Sequence, residues 1–378
     1  MRVPVVTRAA WGWGIPALVA VGILNPSMVS ASPYIEVKVS VKIILDPFTS
    51  SRPTIEPGST VEVSDGLVAA MVNRADNLLL AEYWRGYRFV LDEVVTVGSY
   101  CPAPSCTNEN PSYYFGDPFA SDGSLVDFET EAMSHPAYLW RNDAINVYVN
   151  QGKGNGAVSS FPYAVGRSNH ITVVGSEAFD PNFSPNFLAT VFHHELGHYF
   201  DLAHPNAKTT KECCDISVLC FPEDGDGIED TLPDNPCYAL DNLCIFHYGV
   251  FYTGLNPAQR DNIDNIWTNN MTYMHPSQSY GVTIMDRLTE KQLDRWADTA
   301  NSVRAAVVSG RTRFVERCLG CVGSGTSTNP YGSVFQGHLN AVDGDILLLR
   351  PGQYNETLTL DKRVTLRATR TGPAVIGR

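Results

Sequence analysis

Phe192-His193-His194-Glu195-Leu196-Gly197-His198-Tyr199-Phe200-Asp201-Leu202-Ala203-His204 carries three histidines and a glutamate at a spacing with chemical meaning. Ser184-Pro185 supplies a cap residue followed by a first-turn proline, so a helix is expected to run from there through Phe200. Residues four apart share a helix face, which lets His194 and His198 address one ion with Glu195 beside them. His204 follows ten residues after His194. Three neutral imidazoles leave the fourth position of a tetrahedral zinc open for water, as catalysis requires. Glu195 is then the expected general base. It takes a proton from the zinc-bound water and later passes it to the leaving amine. His193 faces another side of the helix and reads as a packing or surface residue. Chance places the full pattern in a chain of this composition only roughly twice in ten thousand, so a surface helix with spare histidines is the weaker account.

The run His194 to His204 resembles the extended zinc motif HExxHxxGxxH of the metzincin metallopeptidases. Asp201 stands where that family has a glycine that turns the chain out of the helix. The turn is expected to need positive φ, which Asn and Asp tolerate best after glycine. Asn269-Asn270-Met271-Thr272-Tyr273 resembles the family's methionine turn. The resemblance implies that Met271 forms an apolar floor beneath the metal and that Tyr273 helps stabilise the developing oxyanion.

Within that family the likeness is to the pappalysin group, over roughly residues 34–310. It rests on Ala144-Ile145-Asn146-Val147-Tyr148-Val149 and on the loop Gly225-Asp226-Gly227-Ile228-Glu229-Asp230-Thr231. The resemblance implies calcium in that loop, with Asp226 and Asp230 as candidate ligands and Asp224 nearby. A solvated acidic loop is the other reading. An EF-hand does not fit, because aligning Gly227 with the invariant glycine puts Pro222 and Pro233 at the first and last ligand positions.

Around this motif the sequence reads as α+β. Val37, Val39, Val41 and Ile43 alternate with Lys38, Ser40 and Lys42, predicting a half-buried strand over 34–45. A helix is expected over 67–84, strands over 87–97, 144–150 and 170–175, and an irregular stretch over 99–134. Gly152, Gly154 and Gly156 lack the following helix that a nucleotide-binding loop needs. Apolar residues from Leu288 to Val308 recur at helical spacing and predict a terminal helix. The expected whole is a twisted mixed sheet, two main helices, an irregular lower subdomain and that last helix. From Phe314 onward the texture changes to short strands, over 345–349, 357–360, 364–366 and 374–376. That run resembles the opening coils of a pectate-lyase-type parallel β-helix, whose coils bury their strands only by stacking.

Three segments follow. Residues 1–31 read as an export signal, with Arg2 and Arg8 before the apolar stretch Ile15–Leu24 and small residues at Val29-Ser30-Ala31. Residues 32–310 form the peptidase-like domain and 311–378 the short β segment. Nine cysteines suit an oxidising, extracellular destination. Cys101 and Cys106 are close enough to pair. Cys213, Cys214, Cys220, Cys237 and Cys244 bracket the acidic loop and leave one thiol over. Cys318 and Cys321 form a CxxC that reads as a structural disulfide or free thiols.

A net charge of −13 argues against nucleic-acid binding, and no segment is long enough to span a membrane. The expected function is a secreted zinc metalloendopeptidase acting on proteins or peptides. The alternative is a non-catalytic surface or carbohydrate-binding protein whose C-terminal segment makes the contact, where Asp343, Asp345 and Glu356 are the carboxylates on offer.

Overall fold

A computed structural model describes residues 33–55, 58–82, 86–98, 114–116, 122–152, 157–159, 162, 171–179, 185–206, 221–222, 224–235, 237–272, 287–369 and 371–377. The expected export signal, Cys101, Cys106, Cys213, Cys214, Cys220, Ser184 and Tyr273 lie outside these residues.

The fold is mixed α/β, built on a five-stranded sheet in the order β2-β1-β3-β5-β4. These strands are β1 (Ile35–Leu45), β2 (Tyr87–Gly98), β3 (Ile145–Asn150), β4 (Ala157–Ser159) and β5 (Ile171–Gly175). All neighbours pair in parallel except β4, which runs antiparallel along the edge. Helix α1 (Asp65–Glu82) connects β1 to β2, the crossover a parallel pair requires.

Strand β1 departs from the half-buried expectation. Its odd face is buried, but so are Ser40, Lys42 and Ile44 on the other. The cover is helix α2 (Asp122–Ser134), which forms inside the stretch expected to be irregular. Leu125, Phe128 and Ala132 lie on its inner side at helical spacing and pack with Ile44, Tyr138, Tyr148 and Ile171. On the opposite face, Val68, Met71 and Val72 of α1 and Phe192 and Leu196 of α3 (Pro185–Tyr199) complete a three-layer core. Buried on both sides, β3 and β5 are almost continuously apolar, as parallel strands in such sheets are. Lys42 is held by an amide, its Nζ donating to Asn146 Oδ1 at 2.6 Å.

Below the sheet, α4 (Leu240–Tyr248) and α5 (Pro257–Trp267) give the expected irregular subdomain a core of its own around Leu243, Cys244, Ile263 and Ile266. Cys237 is disulfide-bonded, and among the described residues Cys244 is a free thiol, buried in that core. The expected terminal helix is α6 (Glu290–Asn301). It is shorter than predicted and is opened by a capping box between Thr289 and Gln292.

The C-terminal segment contains β6 (Thr312–Val315), α7 (Val334–Asn340), β7 (Ile346–Leu349), β8 (Gly352–Tyr354), β9 (Thr365–Ala368) and β10 (Ala374–Ile376). Two small parallel sheets result, β6-β7-β9 and β8-β10. The strand expected over 357–360 is irregular chain. Phe314, Ile346 and Leu348 are buried in the same cluster as Trp296 and Ala300 of α6, so one core runs through both parts of the chain. The Ser309 amide donates to the Glu36 carbonyl at 2.9 Å, tying the segment to the start of β1. Cys318 and Cys321 are bridged. Among the described residues no helix is long and apolar enough to cross a membrane.

Candidate metal centre

Helix α3 delivers two histidines and its C-terminus delivers the third. Asp201 adopts φ 70°, the left-handed conformation expected there. Its amide donates to the His198 carbonyl at 2.9 Å, and the Leu202 amide reaches back to the Gly197 carbonyl at 2.9 Å. Those two bonds define a Schellman turn with aspartate in the glycine position. Arg295 of α6 grips the Asp201 carboxylate through Nε at 2.9 Å and a terminal nitrogen at 2.8 Å. The turn carries the chain straight back to the helix end, where His204 meets the other two.

The three Nε2 atoms lie 3.0 Å (His194 to His198), 3.1 Å (His194 to His204) and 3.1 Å (His198 to His204) apart. They are also the one cluster of metal-ligating side chains found among the described residues. Two of the rings are oriented from behind. His194 Nδ1 donates to the Asn270 carbonyl, and His198 Nδ1 donates to the Leu202 carbonyl at 2.7 Å. With the proton on Nδ1, each Nε2 presents a lone pair, so acceptors face one another at close range. A cation at their centre resolves that repulsion. Imidazoles sharing a tetrahedral zinc with bonds of roughly 2.0–2.1 Å have nitrogens about 3.3 Å apart, within a few tenths of the spacing seen here. Burial lowers the pKa of all three histidines, His204 to about 3, so they are neutral near pH 7, the form a metal requires. The donor set fits zinc.

Glu195 is 7% exposed, and burial pushes its carboxyl up to about 8. Met271 is fully buried and lies against α3 at Gly197. His193 is the packing residue it was read as. It is buried, stacks on Trp296 with ring centroids 5.9 Å apart, and pairs through Nδ1 with Asn270 Oδ1 at 2.7 Å.

Asn270 was missed as a site residue although it lay within the quoted motif. Its carbonyl orients His194, its side-chain oxygen meets His193, and its amide donates to the Thr190 carbonyl at 3.2 Å. One asparagine thus fastens the chain before Met271 along about one turn of α3.

The calcium expectation gains no support: among the described residues Asp224, Asp226 and Asp230 belong to no cluster of metal-ligating side chains, and protein donors reach all three. Asp224 accepts from the Asp226 and Gly227 amides, and Asp226 from the Ile228 amide and the Thr231 hydroxyl. Asp230 accepts from the Thr289 hydroxyl at 2.6 Å and the Lys291 amide at 2.9 Å, at the start of α6. The C-terminal carboxylates are likewise engaged. Asp345 is fully buried against Arg311 and Arg313, Asp343 pairs with Arg363, and Glu356 accepts from the Val334 and Phe335 amides.

No family model and no curated protein sequence matches the chain. Among solved structures it is similar to mirolysin in complex with compound 9, at a TM-score of 0.41 and 12% identity over 72% of this chain and 96% of that one. It is also similar to mature mirolysin of Tannerella forsythia in complex with a cleaved peptide, at a TM-score of 0.40 and 12% identity, covering 72% and 95% of the two chains.

Proposed function

We propose that this protein is a secreted zinc metalloendopeptidase of the metzincin type, akin to the pappalysin group. The observation that carries this reading is the convergence of three imidazole Nε2 atoms within 3.1 Å, with Glu195 in the same helix turn. His194, His198 and His204 would hold the ion. Bound zinc supplies Lewis acidity, polarising the scissile carbonyl and lowering the pKa of a water molecule. Glu195, buried beside the histidines, accepts the proton of the attacking water and returns it to the departing amine. Tyr273, two residues beyond Met271, is proposed to donate to the developing oxyanion. The parallel coils of the C-terminal segment are proposed to be β-helix-like and to act as a packed support.

Elemental analysis of the purified chain, with cleavage of a denatured protein followed with and without chelator, tests the reading. About one zinc per chain, chelator-sensitive cleavage, and loss of cleavage with zinc retained in Glu195→Gln are the expected results. Removing the general base of such a site lowers turnover by roughly 10²–10⁴-fold. Full cleavage by Glu195→Gln, or a chain without zinc, would sink it.

A further inference from the structure

The acidic loop 224–231 lies directly behind the third histidine. A β-carbon on Gly225 would stand 2.5 Å from the His204 carbonyl oxygen and 2.2 Å from that of Asn206, so only glycine allows this approach. The Gly225 amide donates to the Pro205 carbonyl at 2.9 Å, and Asp224 bridges to Asn206.

One residue further on, Asp226 Oδ2 accepts from Gln292 Nε2 at 3.3 Å. Gln292 is fully buried at the start of α6. Its Oε1 accepts from the Thr289 amide and from Asn269 Nδ2, both at 3.0 Å. Asn269 in turn accepts the Met271 amide on its own Oδ1 at 2.9 Å. A continuous set of polar contacts therefore joins the Pro205 carbonyl, next to His204, to the Met271 amide, through Gly225, Asp226, Gln292 and Asn269.

From this the geometry points to Gln292 as a positioning residue for the metal centre, acting with Asp226 as a protein-only brace that holds His204 and the methionine turn in register. The inference rests on the zinc reading above. Its chemistry is directional. Asp226 can only accept, and Gln292 presents its amide nitrogen to Asp226 and its oxygen to Asn269. Asp226→Asn sets a donor against a donor, whichever way the new amide is flipped, because the Ile228 amide occupies the other oxygen. Gln292→Glu sets two carboxylates against each other. Making both changes reverses the bond: the new amide at position 226 donates to the new carboxylate at position 292, and complementarity is restored.

The test is the rate at which the full-length, zinc-loaded chain yields its metal to a chromophoric chelator, measured well below each variant's unfolding temperature. Asp226→Asn and Gln292→Glu are each expected to weaken zinc retention roughly 10–100-fold, as loss of outer-shell partners does. The double variant is expected to recover to within about threefold of the unaltered chain. Val334→Ala, in the separate C-terminal cluster, serves as a control for lost stability and should leave zinc retention unchanged. Unchanged retention in the single variants, failure of the double variant to recover, or an equal loss in Val334→Ala would overturn the brace. So would a calcium-induced rise in unfolding temperature that Asp226→Asn abolishes. A wild-type chain that takes up no zinc would bring down the functional reading as well, whereas a zinc-binding wild type with indifferent variants removes this inference alone.

Discussion

Met271 occupies the space that a β-carbon on Gly197 would need: its Sδ lies 2.2 Å and its Cε 2.9 Å from that position. The glycine of the His-Glu-Leu-Gly-His run is thus fixed by the floor beneath the helix. In an exposed helix, Gly→Ala would stabilise by about 1 kcal/mol. Here the added methyl must displace a fully buried thioether, and overpacking of this kind costs about 1–3 kcal/mol. Gly197→Ala is expected to be net destabilising by about 1 kcal/mol or more in denaturant unfolding, and to cost less when made in a Met271→Ala background than in the unaltered chain. A stabilised Gly197→Ala would show that Met271 does not press on the helix.

Asp201 makes a second prediction from its φ of 70°. Replacing it with glycine removes the left-handed strain, about 1 kcal/mol, and forfeits the ion pair to Arg295, which is half-exposed and worth about 0–1 kcal/mol. Asp201→Gly should therefore lie within about 0.5 kcal/mol of wild type and keep its zinc. Asp201→Ala loses the pair and retains the strain. It is expected to be about 1 kcal/mol less stable than Asp201→Gly and to loosen His204, seen as weaker zinc retention. Equal behaviour of the two variants would remove the Schellman turn from the account of the site.

Lys42 carries the pH prediction. Burial lowers its pKa to about 7, with Arg141 lowering it further and Glu93 and Asp143 opposing. The folded state disfavours the charged form, so between about pH 7 and 10.5 the unfolded chain binds more protons and stability rises with pH. The penalty is complete below about pH 7 and gone above the unfolded value. Lys42→Met keeps the length of the side chain and removes the charge, while Asn146 Oδ1 keeps the Arg141 amide as a donor. It is expected to stabilise by about 1–3 kcal/mol at about pH 6 and by much less at about pH 10.5. A gain independent of pH would mean that the ammonium is not the cause.

The zinc helix was legible because His194, His198 and His204 obey a spacing that tolerates little substitution, and the positive φ at Asp201 followed from the same logic. The position of β1 was legible from the alternation of Val37, Val39, Val41 and Ile43 with polar residues, although that pattern understates its burial. Helix α2 was not, because Leu125, Phe128 and Ala132 carry its pattern within a polar stretch. The asparagine-capped start of α5 has a sequence signal, Asn256 with Gln259 three residues on, that went unread. What the sequence does not show of the acidic loop is the set of amides and hydroxyls that reach its carboxylates. Asn270 and Gln292 act through partners distant in the chain, and neither residue type announces such a role.

The bond between Ser309 and Glu36 joins residues 273 positions apart, while β1 is the strand on which β2 and β3 assemble. The first residues of β1 pair with the start of β2, Ile35 with Tyr87, soon after both are made, but the contact from Ser309 must wait through most of the synthesis. Closing loops of this length before their contacts form places the protein among slow, topology-limited folders. The part of the chain made last is thus what completes the hold on the strand made first, and a chain cut short before Ser309 would leave the start of β1 without that contact.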